Sequence, residues 1–226
     1  ELSQSGNKEK PKTHFTALNL RTDNLSTNFE ITNDHFTVKR QNFFLPFIGK
    51  FNFYNALCAI AITSTISKAT VVQIQKGFQS YSTIFGRAEK VDINNKTAWI
   101  YLIKNPAGTT EVLKTLTDLP NARFLIALND NFADGRDVSW IWDARFDLLS
   151  EHKKDIFVSG KRAYDMALRL KYSDLDDVQV HIEEKIEKAV EAASENLEGG
   201  ETLYILPTYT VLLEMQKKKL CKGQPL

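Results

Sequence analysis

Five short apolar runs at residues 98–103, 123–128, 155–159, 178–182 and 202–206 alternate with stretches of helical spacing, and this alternation constrains the fold most. The helical stretches lie at about 108–118, where Val112, Leu113 and Leu116 share a face; at 161–171, with Met166, Leu168 and Leu170; around Ile186, Val190 and Ala193; and from Tyr209 onward. Strands separated by helices need crossover connections, so the expected fold is α/β, with a Rossmann-like, mainly parallel sheet covered on both faces. Ligands of such sheets sit at the carboxyl ends of the strands. Attention therefore falls on the loops after Leu128, Ser159 and Leu206.

The earlier residues carry a different pattern. Over 13–44 apolar and polar residues alternate, as at Phe15 and Ala17, Leu18 and Leu20, and Phe29 and Ile31, with Asn33-Asp34 as a turn before a strand at 35–38. This predicts a short antiparallel β region. After Pro46 and Gly49 the spacing turns helical, with Tyr54, Leu57, Cys58, Ile60 and Ala61 as the expected apolar face, and a second helix follows at about 71–78. Strands are expected at 89–93 and 98–103, around the turn Asn94-Asn95. The polar residues 1–12 read as the stump of something larger. A domain boundary near Ala88 divides the chain into 1–87 and 88–226.

With 226 residues, 42% of them hydrophobic, the chain can bury one large core or two modest ones. A net charge of +1 leaves no global field to attract nucleic acid or an anionic bilayer. The longest apolar stretch falls far short of the roughly 20 residues that span a membrane, and the polar start is no signal peptide. Cys58 and Cys221 stand in unlike contexts, which argues against a disulfide framework and for a reducing cytoplasm. His14, His35, His152 and His181 show no ligand spacing with cysteines, so no metal site is expected within this segment.

A phosphate loop is missing from the sequence, since Gly49-Lys50 is followed by Phe51, Gly160-Lys161 by Arg162, and neither has the upstream glycine. Four other segments carry chemistry. Asn52 and Asn55 open an apolar helix after Gly49; taken alone, such an asparagine is most often a cap. Gly86-Arg87-Ala88-Glu89 offers a guanidinium fork suited to phosphate, or a hinge arginine paired to a carboxylate. Lys104-Asn105-Pro106-Ala107-Gly108 suits a strand-to-helix turn. Most concentrated is the segment 125–143, where a buried strand runs into a loop holding Asp130, Asp134, Asp137 and Asp143 with Trp140 and Trp142. So many acids beside large apolar rings are expensive unless paired, metal-bound or functional. The bland alternative is a loop of Asx turns pinned by Arg136.

These motifs, in this order, resemble the Mur ligases. The glycine followed by Asn52, Asn55, Ala56, Ala59 and Ala61 resembles the helix that ends their central ATPase domain, and the resemblance implies that Asn52 and Asn55 face adenine. Gly86 to Glu89 is similar to their Gly-Arg-x-Glu junction, which implies that Arg87 reaches the nucleotide phosphates. Lys104 stands where the amino-acid-adding ligases have histidine, and the Lys-Asn-Pro-Ala-Gly version is similar to the MurT branch. Residues 129–143 resemble that branch nearly residue for residue, with Phe132 where it commonly has proline.

The resemblance implies the end of a Mur-ligase central domain, made of a β-hairpin region plus helices, followed by a MurT-type C-terminal domain. It also implies a heterodimer with a GatD-like glutaminase. Such an enzyme uses ATP and Mg2+ to activate the α-carboxyl of D-isoglutamate in lipid II as an acyl phosphate, which ammonia from glutamine converts to D-isoglutamine. An aspartate of the acidic loop would complete the glutaminase Cys-His pair, Asp137 first and Asp134 second. Candidates for substrate contact are Lys104, Asn105, Asp130, Arg162 and Thr208, with Ser159, Tyr164, Tyr209 and Thr210 nearby. The enzyme would be cytoplasmic, acting at the inner face of the membrane. The lipid-substrate region, the phosphate loop and a zinc-binding cysteine ribbon are expected upstream of this segment, which alone is expected to be inactive. The competing expectation is an amino-acid-adding Mur ligase or a folylpolyglutamate-synthase-like ligase.

Overall fold

Period-two burial builds the first unit. In a computed structural model, which describes residues 13–23, 26–33, 40–81, 86–117, 119, 121–150, 154–175, 178–195, 197 and 200–223, β1 (Phe15–Asp23), β2 (Ser26–Asn33) and β3 (Arg40–Leu45) form an antiparallel sheet in that order. Thr27, Phe29, Ile31 and Asn33 of β2 turn inward and their neighbours outward, as one buried face requires. Against that face lies α1 (Lys50–Ile66), which buries Phe53, Ala56 and Ile60 among Phe29, Ile31, Phe43 and Leu45. The buried stripe differs from the expected one, because Tyr54 and Cys58 are exposed while Phe53 is buried. The expected strand at 35–38 lies outside the described residues. In α2 (Val71–Gln79) a reciprocal capping box forms, with the Gln73 N–H donating to Thr70 Oγ1 and the Thr70 N–H donating to Gln73 Oε1.

Contacts divide the chain into Glu1–Tyr81 and Ser82–Leu226. The second unit contains β4 (Arg87–Ile93), β5 (Lys96–Tyr101), α3 (Pro106–Leu116), β6 (Ala122–Ala127), β7 (Ile156–Ser159), α4 (Ala163–Lys171), β8 (Val180–Ile182), α5 (Ile186–Ser194), β9 (Thr202–Pro207), α6 (Tyr209–Lys217) and β10 (Lys222–Gly223). The sheet order is β10-β4-β5-β9-β6-β7-β8. From β5 to β8 neighbouring strands run parallel, and β4 and β10 add an antiparallel edge. The mainly parallel sheet expected from the alternation is present. The stretch after Leu128, expected to be a long polar loop, contains two 3-10 turns at Ser139–Trp142 and Phe146–Leu149.

The central strands β6 and β9 are buried almost throughout, because both of their faces are covered. Leu125, Ala127, Leu203 and Ile205 meet Ile186, Val190, Leu212 and Met215 of α5 and α6. Phe124, Ile126, Tyr204 and Leu206 point the other way and are equally buried, on the side where α3, α4 and the two 3-10 turns pack together. No helix among the described residues is long and apolar enough to cross a membrane. Truncation of the fully buried Ile205 to alanine is expected to destabilise the second unit by about 2–5 kcal/mol, measured by urea denaturation of the purified chain.

Candidate functional site

The carboxyl ends of β6, β7 and β9 are joined by a polar network rooted in two asparagines. Asn129 is buried at the end of β6; its side-chain amide donates to Thr210 Oγ1 (3.1 Å) and its carbonyl accepts the Lys161 N–H (2.9 Å). Asn131 donates to the same hydroxyl at 2.7 Å and accepts from Lys161 Nζ at 2.6 Å. Gly160 lies against the Asn129 end of the network with φ +90°, and a Cβ there would lie 2.5 Å from Leu128 O and 2.8 Å from Asn129 Oδ1. Only glycine lets the β7 loop approach so closely.

Asp134 closes the network. One carboxylate oxygen accepts the Thr210 N–H at 2.8 Å, and the other accepts the Thr210 hydroxyl and the Asn131 N–H. It therefore ties the acidic loop to the first turn of α6, where an anionic side chain also meets unpaired helix amides. Asp137 has a different environment. It is exposed, and Oδ1 accepts the Ser139 N–H at 2.8 Å, a local turn that leads into the first 3-10 turn. The Ser139 hydroxyl and N–H hold its carboxyl below the usual carboxylate range, so it is an anion at neutral pH. Asp143 is also exposed.

The other expected site residues take separate places in the two units. Asp130 and Arg162 form a pair, with Nε and Nη2 at 2.9 and 2.8 Å from Oδ2, and the arginine holds the Asp130 carboxyl below its usual range. Asn105 caps α3, accepting the Gly108 N–H at 2.8 Å, and Lys104 beside it is exposed. Thr208 is buried and its hydroxyl accepts the Asn129 N–H at 3.0 Å, so its side chain serves the loop. In the first unit, Gly49 rather than an asparagine occupies the cap position of α1; Asn52 lies inside the helix, donating to Ile48 O at 2.8 Å, and Asn55 is exposed.

Arg87 stands at a bulge. Glu89 reaches back to accept the Gly86 N–H at 2.9 Å, Ala88 is buried with φ 58°, and the strand register shifts between Arg87 and Glu89. Gly86 adopts φ +69° with Leu102 and Leu212 closing around it. The guanidinium side chain is thereby turned outward.

The sequence pattern carries no separate signal for Asn129, Asn131 or Arg169. Arg169 is 7% exposed although it lies in the expected apolar helix, whereas Leu168, expected in the core, is 49% exposed. Its guanidinium donates to Ile141 O and Ala144 O, both at 3.0 Å, so this arginine rather than the exposed Arg136 anchors the far side of the loop.

Fold comparison defines the class. The chain is similar to folylpolyglutamate synthase from Mycobacterium tuberculosis (TM-score 0.66, 18% identity, 94% of this chain and 49% of that one). It is also similar to MurF from Acinetobacter baumannii (TM-score 0.63, 15% identity, 92% and 44%), so it has a Mur-ligase-like α/β fold. Residues 102–212 match the MurT ligase C-terminal family. It is 33% identical over 192 residues to the lipid II isoglutaminyl synthase (glutamine-hydrolyzing) subunit MurT of Streptococcus pneumoniae, with 83% of this chain and 42% of that protein covered. The same subunit of Staphylococcus aureus strain COL is 34% identical over 183 residues, covering 80% and 41%. The chain thus spans about two fifths of the length of these relatives.

The two aspartates should separate experimentally. Asp134→Ala, which leaves Thr210 and Asn131 donors without their acceptor, is expected to destabilise the second unit by about 1–3 kcal/mol in urea denaturation. Asp137→Ala should leave the denaturation midpoint essentially unchanged.

Proposed function

We propose that this chain is the C-terminal portion of a MurT-type subunit in an ATP-driven, glutamine-dependent amidotransferase. The enzyme converts D-glutamate (D-isoglutamate) of lipid II to D-isoglutamine at the inner, cytoplasmic face of the membrane. Its partner is a GatD-like glutaminase, which releases ammonia from glutamine. The observation that carries the reading is the acidic loop within the MurT-type domain, with one aspartate consumed by the fold and another presented to solvent as an anion.

In this reading Asp137 is the third member of a triad completed across the subunit interface. Its carboxylate accepts the Nδ1–H of the partner's catalytic imidazole, which sets the tautomer and stabilises the imidazolium formed as the cysteine thiol loses its proton. Asp134 is the positioning residue behind it, since both of its oxygens are already engaged by Thr210 and Asn131. ATP bound with Mg2+ supplies the phosphoryl group that turns the substrate carboxylate into an acyl phosphate, from which ammonia displaces phosphate. In the second unit, outward-facing Arg87 suits phosphate oxygens. Exposed Lys104 and the Arg162–Asp130 pair lie at strand ends where the stem peptide would be held; Asn105 and Thr208 shape those loops.

The test is glutamine hydrolysis by the full-length two-subunit enzyme. Asp137→Asn is expected to lower kcat by about 100-fold or more while the complex still forms, because an amide cannot stabilise the imidazolium. Full activity in that variant and in Asp134→Asn would remove the triad role. If no glutaminase complex forms with the unaltered chain, an amino-acid-adding ligase becomes the better reading.

A further inference from the structure

Asp137 lies on a short span between two fixed points. Upstream, Asp134 is bound to Thr210 and Asn131. Downstream, Ser139 begins the 3-10 turn Ser139–Trp142, in which the Ile141 N–H donates to Val138 O at 3.1 Å. Two carbonyls, Ile141 O in this turn and Ala144 O just before the second 3-10 turn, where it also accepts the Phe146 N–H, are reached by a single side chain. Arg169 Nε donates to Ile141 O and Nη2 to Ala144 O, each at 3.0 Å in a buried setting. Nη1 donates to Ser173 Oγ at 2.6 Å, and that hydroxyl donates to Arg169 O at 3.1 Å. The guanidinium carbon is 5.6 Å from the Trp142 ring centre and 5.7 Å from that of Phe146, so aromatic rings complete its surroundings.

A buried cation is costly unless its donors are satisfied, and here they are satisfied by neutral oxygens. The Asp147 carboxylate, which acts on Arg169 through its field, is hydrogen-bonded to Arg145 instead. A planar fork that spans two carbonyls from one rigid helix fixes their separation and direction, which a lysine ammonium cannot do. Trp142, packed beside this fork and against Tyr172, is left 48% exposed.

We infer that Arg169 is a positioning residue for the glutaminase reaction, holding the 137–144 segment so that the Asp137 carboxylate is already oriented when the partner subunit docks. This rests on the reading of Asp137 given above. Precision of this kind is worth much in catalysis, where a displacement of about 1 Å can cost about 100-fold in rate.

The experiment uses the full-length chain with its glutaminase, and counts competent sites by covalent trapping of the catalytic cysteine with an electrophilic glutamine analogue. Arg169→Lys is expected to lower kcat per trapped site by about 10- to 100-fold with little change in KM for glutamine. Ser173→Ala, which removes one acceptor and leaves the fork in place, should cause a smaller fall in the same direction. Arg169→Lys combined with Asp137→Asn should be no slower than Asp137→Asn alone, because the two act through one carboxylate. Unchanged kcat per trapped site in both Arg169→Lys and Ser173→Ala, with only fewer sites trapped, would make the arginine purely structural and overturn the inference. Losses that multiply in the double variant would also overturn it. If Asp137→Asn itself has full activity, the triad reading fails first and the positioning role falls with it.

Discussion

The covering of β6 and β9 on both faces is the constraint from which the rest of the second unit follows. Strands buried throughout can carry no polar chemistry along their length without orphaned donors or acceptors, so polar groups are displaced to the strand ends. At those ends the chain must still satisfy the amides and carbonyls of three loops and a helix start. Asn129 and Thr210 do this by bridging β6, the β7 loop and α6, and Gly160 permits the close approach on which the bridge depends. The ordered rim that results is a by-product of burial, and it supplies the rigid base on which an exposed carboxylate can be held.

That rim explains why aspartates close together in sequence take different parts. Asp134 faces the amide end of α6, where its charge is stabilised by N–H donors and its oxygens are used up. Asp137, past Gly135, has turned to solvent and keeps its local bonds to the Ser139 N–H and hydroxyl. A carboxylate that is ionised, half-satisfied and held at a fixed point has capacity left for an external imidazole. One that is fully engaged has not, whatever its proximity. The distinction is one of hydrogen-bond capacity rather than of charge.

Much of the fold was legible because its signals are local. The alternation of apolar runs and helical spacings marks each parallel strand and crossover, and period-two alternation marks β2, where Phe29 and Ile31 do face the core. The unread parts are those decided by distant partners. Residue spacing alone placed Leu168 in the core, yet helix α4 buries Arg169 because loop carbonyls a few ångströms away need its donors, and no spacing rule contains that information. The same holds for Tyr54 and Cys58, which share an apolar appearance with Phe53 but point away from the β1–β3 sheet. The two 3-10 turns were hidden because four residues are too few to display a period. Which aspartate stays unoccupied depends on Thr210, 76 residues away along the chain.

The energetic logic of Arg169 and Asp134 also bears on how such a loop can serve a second subunit. A loop ordered only on docking would spend part of the association free energy on its own conformational entropy, at about 1–2 kcal/mol per residue fixed. Anchoring its two sides within the folded domain moves that entropy loss into folding, where burial of the sheet faces offsets it. The anchors are polar and shape-specific, a carboxylate accepting from a helix start and a guanidinium spanning two carbonyls, so they define direction as well as position. An apolar plug of similar volume would hold the loop down but leave Ile141 O without its buried guanidinium donor and the loop's orientation loose. A buried arginine, next to the leucine that spacing assigns to the core, is therefore what gives this loop a fixed direction within the folded domain.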